Sequence, residues 1–144
     1  MSGSSTSPQL HFWNSSDLSG YQQSASTSTC TSSGSLAWSP NGKWIVSGHQ
    51  DDAIRLWSAD DLQAGAVATG KGHGDDVVAV AWSPDSLYIV SGSVDRTIRV
   101  WRTSHLEAGP LATGGPSVNR GVGHTATVNS VAWSPVQRSL LPRP

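Results

Sequence analysis

Three side chains in the middle of the chain, His73, Ser91 and Asp95, are of the types that carry out nucleophilic acyl transfer. In such chemistry a histidine takes the proton of a serine hydroxyl, and a carboxylate orients the histidine ring. The serine must also lie in an open pocket, close to donors that stabilise an oxyanion. Whether these residues meet those conditions depends on the elements that position them, which the sequence indicates through an internal repeat.

Two stretches of the chain are near copies of each other, residues 36–65 and residues 80–109, displaced by 44 positions. The copies keep their landmarks in phase, for example Trp57 with Trp101. Trp13 lies 44 residues before Trp57. It ends the sequence LHFW, in the same way as Trp57 ends IRLW and Trp101 ends IRVW. A fixed period of this length is the signature of a repeat architecture.

The residues within each repeat indicate short strands joined by tight turns. Apolar side chains alternate with others at Ile54 and Leu56, and again at Ile98 and Val100, which is the period of a β-strand. The SPNG and SPDS sequences supply turns, because Pro fixes one backbone angle and Asn-Gly tolerates a positive φ. No stretch has the periodicity of a helix, so we predict about four antiparallel strands in each period.

The order of these landmarks resembles that of WD-repeat β-propeller proteins. The family pattern is a Gly-His pair, a strand with Trp or Phe, an apolar strand that ends in Ser-Gly-Ser, a turn Asp, and a strand that closes on Trp-Asp. Here the pattern is met by Gly72-His73, Trp82, Ser91-Gly92-Ser93, Asp95 and Trp101. The closing tryptophans are followed by Asn14, Ser58 and Arg102 where the family has Asp. The resemblance covers roughly residues 10–135 and implies an all-β fold, with antiparallel four-stranded blades of an incomplete, open propeller.

The resemblance implies a structural role for the Ser, His and Asp of the repeat. In blades of this family the closing Trp donates to the Ser hydroxyl, the Ser donates to the His ring, and the His donates to the turn Asp. Such a network rigidifies a blade when every member is satisfied. The first repeat has Thr29 where the second has His73, which predicts a weaker network there. The residues assigned to this structural hydrogen-bond network are His73, Ser91, Asp95, Trp101, Ser47, Asp51, Trp57 and His124.

We therefore expect no catalytic residue, since a serine bound to an indole inside a pair of strands is not an exposed nucleophile. We also expect no metal ion and no cofactor. Five His and one Cys show no metal-ligand spacing. The adjacent carboxylates at 51–52, 60–61 and 75–76 fall at turns, where Asp bonds to the local backbone. A calcium loop would need ligands at alternating positions with a glycine bend, and the sequence has none.

Composition narrows the classes of partner and compartment. The formal net charge is −1 and there is no basic stripe, so a nucleic-acid partner is not indicated. No apolar run reaches the length of a membrane span, and the polar, Ser-rich first residues are unlike a secretory signal. The single Cys30 argues against a disulfide framework and is typical of a reducing compartment. We expect an intracellular protein, cytoplasmic or nuclear, with no membrane partner.

The repeat register divides the chain into parts of unequal completeness. The predicted order is a polar segment at 1–9, the last strands of a degenerate blade at 10–35, full blades at 36–70 and 71–114, a loop insertion at 115–122, the first strand of a further blade at 123–135 and a non-repeat tail at 136–144. Propellers close with roughly four to eight blades, so this chain would not close a ring alone. We expect a fragment of a larger propeller, poorly stable or self-associating through its open blade edges.

The resemblance also implies an interaction platform that binds other proteins. The loops beside the Gly-His pair and the turn Asp form the expected protein-binding rim. The candidate rim residues are His49, Gln50, Asp52, Asp75, Asp76, Ser93, Val94, Arg96, Asn119 and Arg120. Two alternatives stay open: a non-functional product of a truncated gene, and part of a larger propeller-containing enzyme or of an immune or signalling receptor whose active segments are absent here.

Overall fold

A computed structural model describes residues 9–13, 21–26, 33–115 and 124–135, which form an all-β structure. The strands of these residues are β1 (Gln9–Trp13), β2 (Tyr21–Ser26), β3 (Ser33–Trp38), β4 (Trp44–His49), β5 (Ala53–Ser58), β6 (Ala66–Lys71), β7 (Val77–Trp82), β8 (Tyr88–Ser93), β9 (Ile98–Arg102) and β10 (Ala112–Gly114). β1 pairs with β2, β3 to β6 form one four-stranded sheet, and β7 to β10 form another. Every pairing is antiparallel, which confirms the predicted four-stranded blades of an unclosed propeller.

The strands follow the period of the sequence. β7 and β8 begin 44 residues after β3 and β4, and β5 and β6 recur as the shorter β9 and β10. β1 and β2 lie about one period before β5 and β6, so they correspond to the last two strands of a preceding blade. We call the sheet of β3 to β6 blade one and the sheet of β7 to β10 blade two.

The Ser-Pro turns lie where we predicted them, and side-chain hydrogen bonds to the local chain stabilise them. Ser83 Oγ donates to Asp85 Oδ1 at 2.6 Å. Asp85 Oδ1 also accepts the backbone N–H of Leu87. Ser39 and Asn41 repeat this arrangement in blade one. Gly42 has a φ of 75°, the left-handed conformation that the Asn-Gly pair was predicted to supply.

Two short 3₁₀ segments occur at Leu62–Ala64 and Thr103–Ala108, although we predicted no helix. Segments of this length are too short to show a helical period in the sequence. Each buries one leucine against a sheet, Leu62 in the first and Leu106 in the second. Across the described ranges, no helix has the length and apolar character that crossing a membrane requires.

The main hydrophobic core lies between the two blades. Its buried side chains come from both sheets and from the segment Thr103–Ala108, and they are Val46, Ile54, Leu56, Val77, Val80, Trp82, Ile89, Trp101 and Leu106. Polar contacts hold the same interface, since Trp82 Nε1 donates to the carbonyl of Ala37 at 3.0 Å and Val80 N–H donates to Ser35 Oγ at 3.3 Å. The inner strand β7 is thereby held against the inner strand β3.

Residues 124–135 lie against blade two as β7 lies against blade one. A Cβ atom on Gly48 would meet the side chain of Val77 at 2.8 Å, and one on Gly92 would meet Val128 at 2.6 Å. Val77 and Val128 are 51 residues apart, as are the two Gly-His pairs. No strand forms within 124–135, where we predicted the first strand of a further blade. A strand needs a partner strand, and the counterpart of β4, residues 139–144, lies outside the described residues. Val128 N–H donates to the carbonyl of Ser93, at the end of β8, at 3.0 Å, and this bond holds the segment against blade two.

Candidate functional site

The Ser, His and Asp of blade two meet on the strands and loops that the repeat brings together. Ser91 comes from β8, Trp101 from β9, His73 from the loop before β7, and Asp95 from the turn after β8. Trp101 Nε1 donates to Ser91 Oγ at 2.8 Å, and Ser91 Oγ lies 2.7 Å from His73 Nε2. His73 Nδ1 lies 2.9 Å from Asp95 Oδ2. The structure thus contains a four-membered chain of hydrogen bonds in the predicted order.

The network contains a neutral histidine and an ionised aspartate. Burial lowers the pKa of His73, and this effect outweighs the Asp95 carboxylate, which acts in the opposite direction. Burial alone would raise the pKa of Asp95, but the hydrogen bonds that it accepts from Thr97, from Gly74 N–H and from the His ring lower it. A neutral ring that donates Nδ1–H to Asp95 accepts the Ser91 hydroxyl at Nε2, so every member is satisfied.

The same geometry places the Ser91 hydroxyl away from solvent. Ser91 is fully buried, and its oxygen already takes part in hydrogen bonds to the indole and the imidazole. A nucleophilic serine needs an open pocket and nearby oxyanion donors. The arrangement suits the attachment of the loop before β7 and the turn after β8 to the blade better than it suits acyl transfer.

Blade one builds its network with a different histidine. Trp57 Nε1 donates to Ser47 Oγ at 2.8 Å, and Ser47 Oγ lies 2.6 Å from His49 Nε2. His49 is only 1 % exposed, so the prediction that it lies on the protein-binding rim is wrong. The sequence has Thr29 where blade two has its loop histidine, and His49 supplies the imidazole beside Ser47 from within β4.

Within the part of the chain that the structure describes, Asp51 binds Arg55 and does not join the network of blade one, where it was predicted. Its carboxylate accepts hydrogen bonds of 3.0 and 2.5 Å from the guanidinium of Arg55, and this contact lowers the pKa of Asp51. Among the described residues, His49 Nδ1 is buried without a hydrogen-bond partner. Comparison of the repeats contains a signal for this exchange, because His49 stands where blade two has Ser93, in the repeat that lacks a loop histidine.

The second predicted network histidine, His124, is exposed and enters no buried network within the described residues. His124 lies 51 residues after His73. The residue 51 positions after Ser91 is Pro142, which has no hydroxyl. The candidate rim residues Asn119 and Arg120 lie outside the described residues. Their placement on the rim stays a prediction.

Hydrogen bonds join the loop before β7 to the turn after β8, and both carry candidate rim residues. Ser93 Oγ donates to the carbonyl of Asp75 at 2.9 Å, and Val94 N–H donates to the carbonyl of Asp76 at 2.9 Å. Ser93 is fully buried, so its predicted place on the exposed rim is wrong, and the reason is this bridge between two loops. The predicted rim residues that reach solvent are Gln50, Asp52, Asp75, Asp76, Val94 and Arg96, and we call these six the rim.

Three carboxylates of the rim come close to one another. Oxygens of Asp52, Asp75 and Asp76 all lie within 4.8 Å of each other, although Asp52 belongs to blade one and the others precede blade two. Partial burial raises the pKa of Asp52, and the Asp75 and Asp76 carboxylates act in the same direction. Of the described His, Cys, Asp and Glu residues, only these three form a group that could hold a metal ion. Exposed acidic turns of this kind are common without an ion, so we assign no metal to them.

Replacing His73 by Ala is expected to lower the free energy of unfolding by about 1 to 3 kcal/mol, because Ser91 and Asp95 each lose a partner in a buried network. His105→Ala removes an exposed histidine and should change that free energy by less than about 0.5 kcal/mol. Chemical denaturation followed by tryptophan fluorescence measures both variants. Equal losses would show that the His73 network contributes nothing specific.

Comparison with known proteins agrees with this architecture. Residues 23–58, 65–102 and 115–141 match the family model described as WD domain, G-beta repeat, and together these segments make up more than half of the chain. No similar protein was found among curated proteins. The third matched segment extends past Pro135, where the repeat pattern was expected to end. The chain therefore belongs to the WD-repeat family, whose repeats form the blades of β-propellers.

Proposed function

We propose that the chain is a non-catalytic interaction module that binds another protein through the rim. WD repeats generally mediate contacts between proteins. The observation that carries the proposal is that loops of both blades converge on one exposed surface, with Asp52 on the turn after β4 beside Asp75 and Asp76 on the loop before β7. A partner that contacts this surface would touch both blades.

Arg96 adds an exposed cation to the rim and occupies the same turn position as Asp52, one repeat later. Both residues have positive φ, 70° and 68°, a conformation in which glycine is less strained. An exposed guanidinium offers several directional donors to carboxylates of a partner. The three acidic residues would accept a lysine or arginine of the same partner but would repel phosphates. A protein segment of mixed charge therefore fits the rim better than a nucleic acid.

Composition supports the same proposal. With a net charge of −1, the chain lacks the excess of positive charge that favours binding to nucleic acid. The single Cys30 is typical of a reducing compartment. We place the module in the cytoplasm or the nucleus. Its partner would be another protein, and neither a membrane nor a cofactor takes part.

Charge reversal at Arg96 tests whether the rim is the surface that binds the partner protein. Arg96→Glu keeps a side chain at the strained turn and should reduce the amount of captured partner roughly tenfold or more, since an interface arginine often contributes about 2 kcal/mol. Lys43→Glu makes the same charge change on the β3–β4 turn, at the opposite end of the blade, and should capture as the parent chain does. Quantitative mass spectrometry of cross-linked proteins gives the readout, with circular dichroism to verify the fold. If both variants capture the same proteins as the parent in the same amounts, the binding surface is not the rim.

A further inference from the structure

A cleft lies between the two blades, at the end opposite to the rim. The residues that line it come from both sheets, from the β3–β4 and β7–β8 turns and from Thr103–Ala108. The two turns are joined, because Asn41 N–H donates to Ser86 Oγ at 3.1 Å. The volume of the cleft is about 860 Å³, within the range of roughly 300 to 1,000 Å³ that is typical of binding sites. We call it the inter-blade cleft.

The floor of the inter-blade cleft is apolar. Leu56 from β5 and Leu106 from the second 3₁₀ segment line it and are almost fully buried. Val67 and Leu87 also line the cleft, but they are 53 % and 57 % exposed. The apolar surface therefore continues from the floor of the cleft to solvent. A segment of a protein chain can cover such a continuous surface, whereas a small molecule would fill only the floor.

The charged side chains of the cleft belong to a part of blade two that differs from its copy in blade one. Residues 102–107 are RTSHLE, and the corresponding residues of blade one, 58–63, are SADDLQ. The blade-one sequence has two acidic residues and no basic one. In blade two, Arg102 stands in place of Ser58 and His105 in place of Asp61. This exchange of acidic for basic side chains favours an anionic group in the cleft.

The guanidinium of Arg102 is available to such a group. Its central carbon lies 5.9 Å from the centroid of the Tyr88 ring, and within the described ranges it forms no ion pair with a carboxylate. The carboxylate of Asp85, which also lines the cleft, accepts hydrogen bonds within its own turn. A guanidinium beside an aromatic ring keeps the donors at its edge for a carboxylate. Arg102 is therefore the side chain of the cleft that we expect to bind an anion.

We propose that the inter-blade cleft binds a segment of a partner protein in which an apolar side chain lies next to an aspartate or a glutamate. The apolar side chain contacts Leu56 and Leu106, whose burial against it is favoured by the hydrophobic effect. The carboxylate accepts charge-assisted hydrogen bonds from Arg102. No residue of the rim takes part, so the inference goes beyond the proposed function and is tested separately from it.

Short random peptides displayed on phage, selected on the full 144-residue chain, are the probe. We expect the selected peptides to share an acidic residue beside an apolar one. Synthetic copies are then titrated by fluorescence polarisation, with circular dichroism to verify the fold of each variant. Arg102→Glu should bind them roughly tenfold more weakly or worse, the effect of losing one central interface arginine. Leu87→Asn removes exposed apolar surface without adding charge and should also weaken binding.

Arg96→Glu is the matched control, because it makes the same charge change on the rim and should bind the peptides as the parent chain does. Glu107→Gln removes an acidic side chain from the cleft and should bind the acidic peptides at least as tightly as the parent. If Arg96→Glu weakens binding and Arg102→Glu does not, the peptides bind the rim. That result would support the proposed function and overturn the present inference.

A second selection, on the Arg102→Glu chain, tests charge complementarity itself. Its peptides should carry a lysine or an arginine where those selected on the parent carry an acidic residue. Such an exchange would also show that the variant is folded and keeps the cleft. The proposal is overturned if the parent selects no acidic residue beside an apolar one, if parent and Arg102→Glu bind the selected peptides equally, or if Arg102→Glu again selects acidic peptides.

Discussion

Replacing Trp101 by Ala is expected to lower the free energy of unfolding by about 3 to 5 kcal/mol, the range for truncation of a large buried aromatic side chain. Trp101 is fully buried in the core between the blades, and a Cβ atom on Gly70 would already come within 3.0 Å of its ring. Its removal opens a cavity and deprives Ser91 Oγ of its indole donor. A loss of this size is a large part of the net stability of a domain, so the variant should unfold at much lower urea concentration.

Two further variants separate the ring of Trp101 from its hydrogen bond. Trp101→Phe keeps most of the buried ring and removes the donor, so we expect a smaller loss of about 1 to 3 kcal/mol. Leu111→Ala, at an exposed position, should change stability by less than about 0.5 kcal/mol. Urea denaturation followed by circular dichroism measures all three. A Trp101→Ala variant no less stable than the Leu111→Ala control would mean that the inter-blade core does not hold the fold.

Stability is expected to fall as the pH is lowered from about 6.5 to about 4. Burial lowers the pKa of His49 from its ordinary value of 6.5 to about 4, and the charge of Arg55 adds to this effect. Between pH 4 and 6.5 the His49 imidazole binds a proton in the unfolded chain but not in the folded chain, so acid favours unfolding. The contribution of neutral His49 to stability is therefore fully present above pH 6.5. A shift of this size corresponds to about 3 kcal/mol.

His49→Gln provides the test of this pH dependence. Glutamine retains a polar side chain beside Ser47 but does not titrate, so the free energy of unfolding should vary less between pH 4 and 6.5. The decrease should correspond to about one proton fewer taken up on unfolding. His73, whose pKa burial also lowers, accounts for part of the remaining slope. If the free energy of unfolding of His49→Gln varies with pH as much as that of the parent chain and of the His105→Ala control, folded His49 is not held neutral.

Much of the fold could be predicted because each repeat is one local unit. Strand order and turns depend on residues close in sequence, such as Ser83 with Asp85, and these recur at a fixed step. The hydrogen bonds of Trp101, Ser91 and His73 likewise involve residue types at positions that the family pattern defines. For such features, residue type and spacing carry enough physical information.

The rest depends on which side chain fills a buried space, and spacing does not determine that. Thr29 removes the expected imidazole of blade one, but the pattern does not show that His49 takes its place or that Arg55 then binds Asp51. The burial of Ser93 follows from a bond to the carbonyl of a neighbouring loop, which any sequence could provide. Exposure on the rim was therefore the least predictable property of the candidate site.

The Ser91 hydroxyl joins His73 and Trp101 into one structural unit, and a double-mutant cycle with His73→Ala and Trp101→Phe measures this directly. Each change removes a bond to the same buried hydroxyl, so the second loss should be smaller once the first has occurred. We predict a coupling energy of at least about 1 kcal/mol. Losses that add to within about 0.3 to 0.5 kcal/mol would contradict a network that acts as a unit.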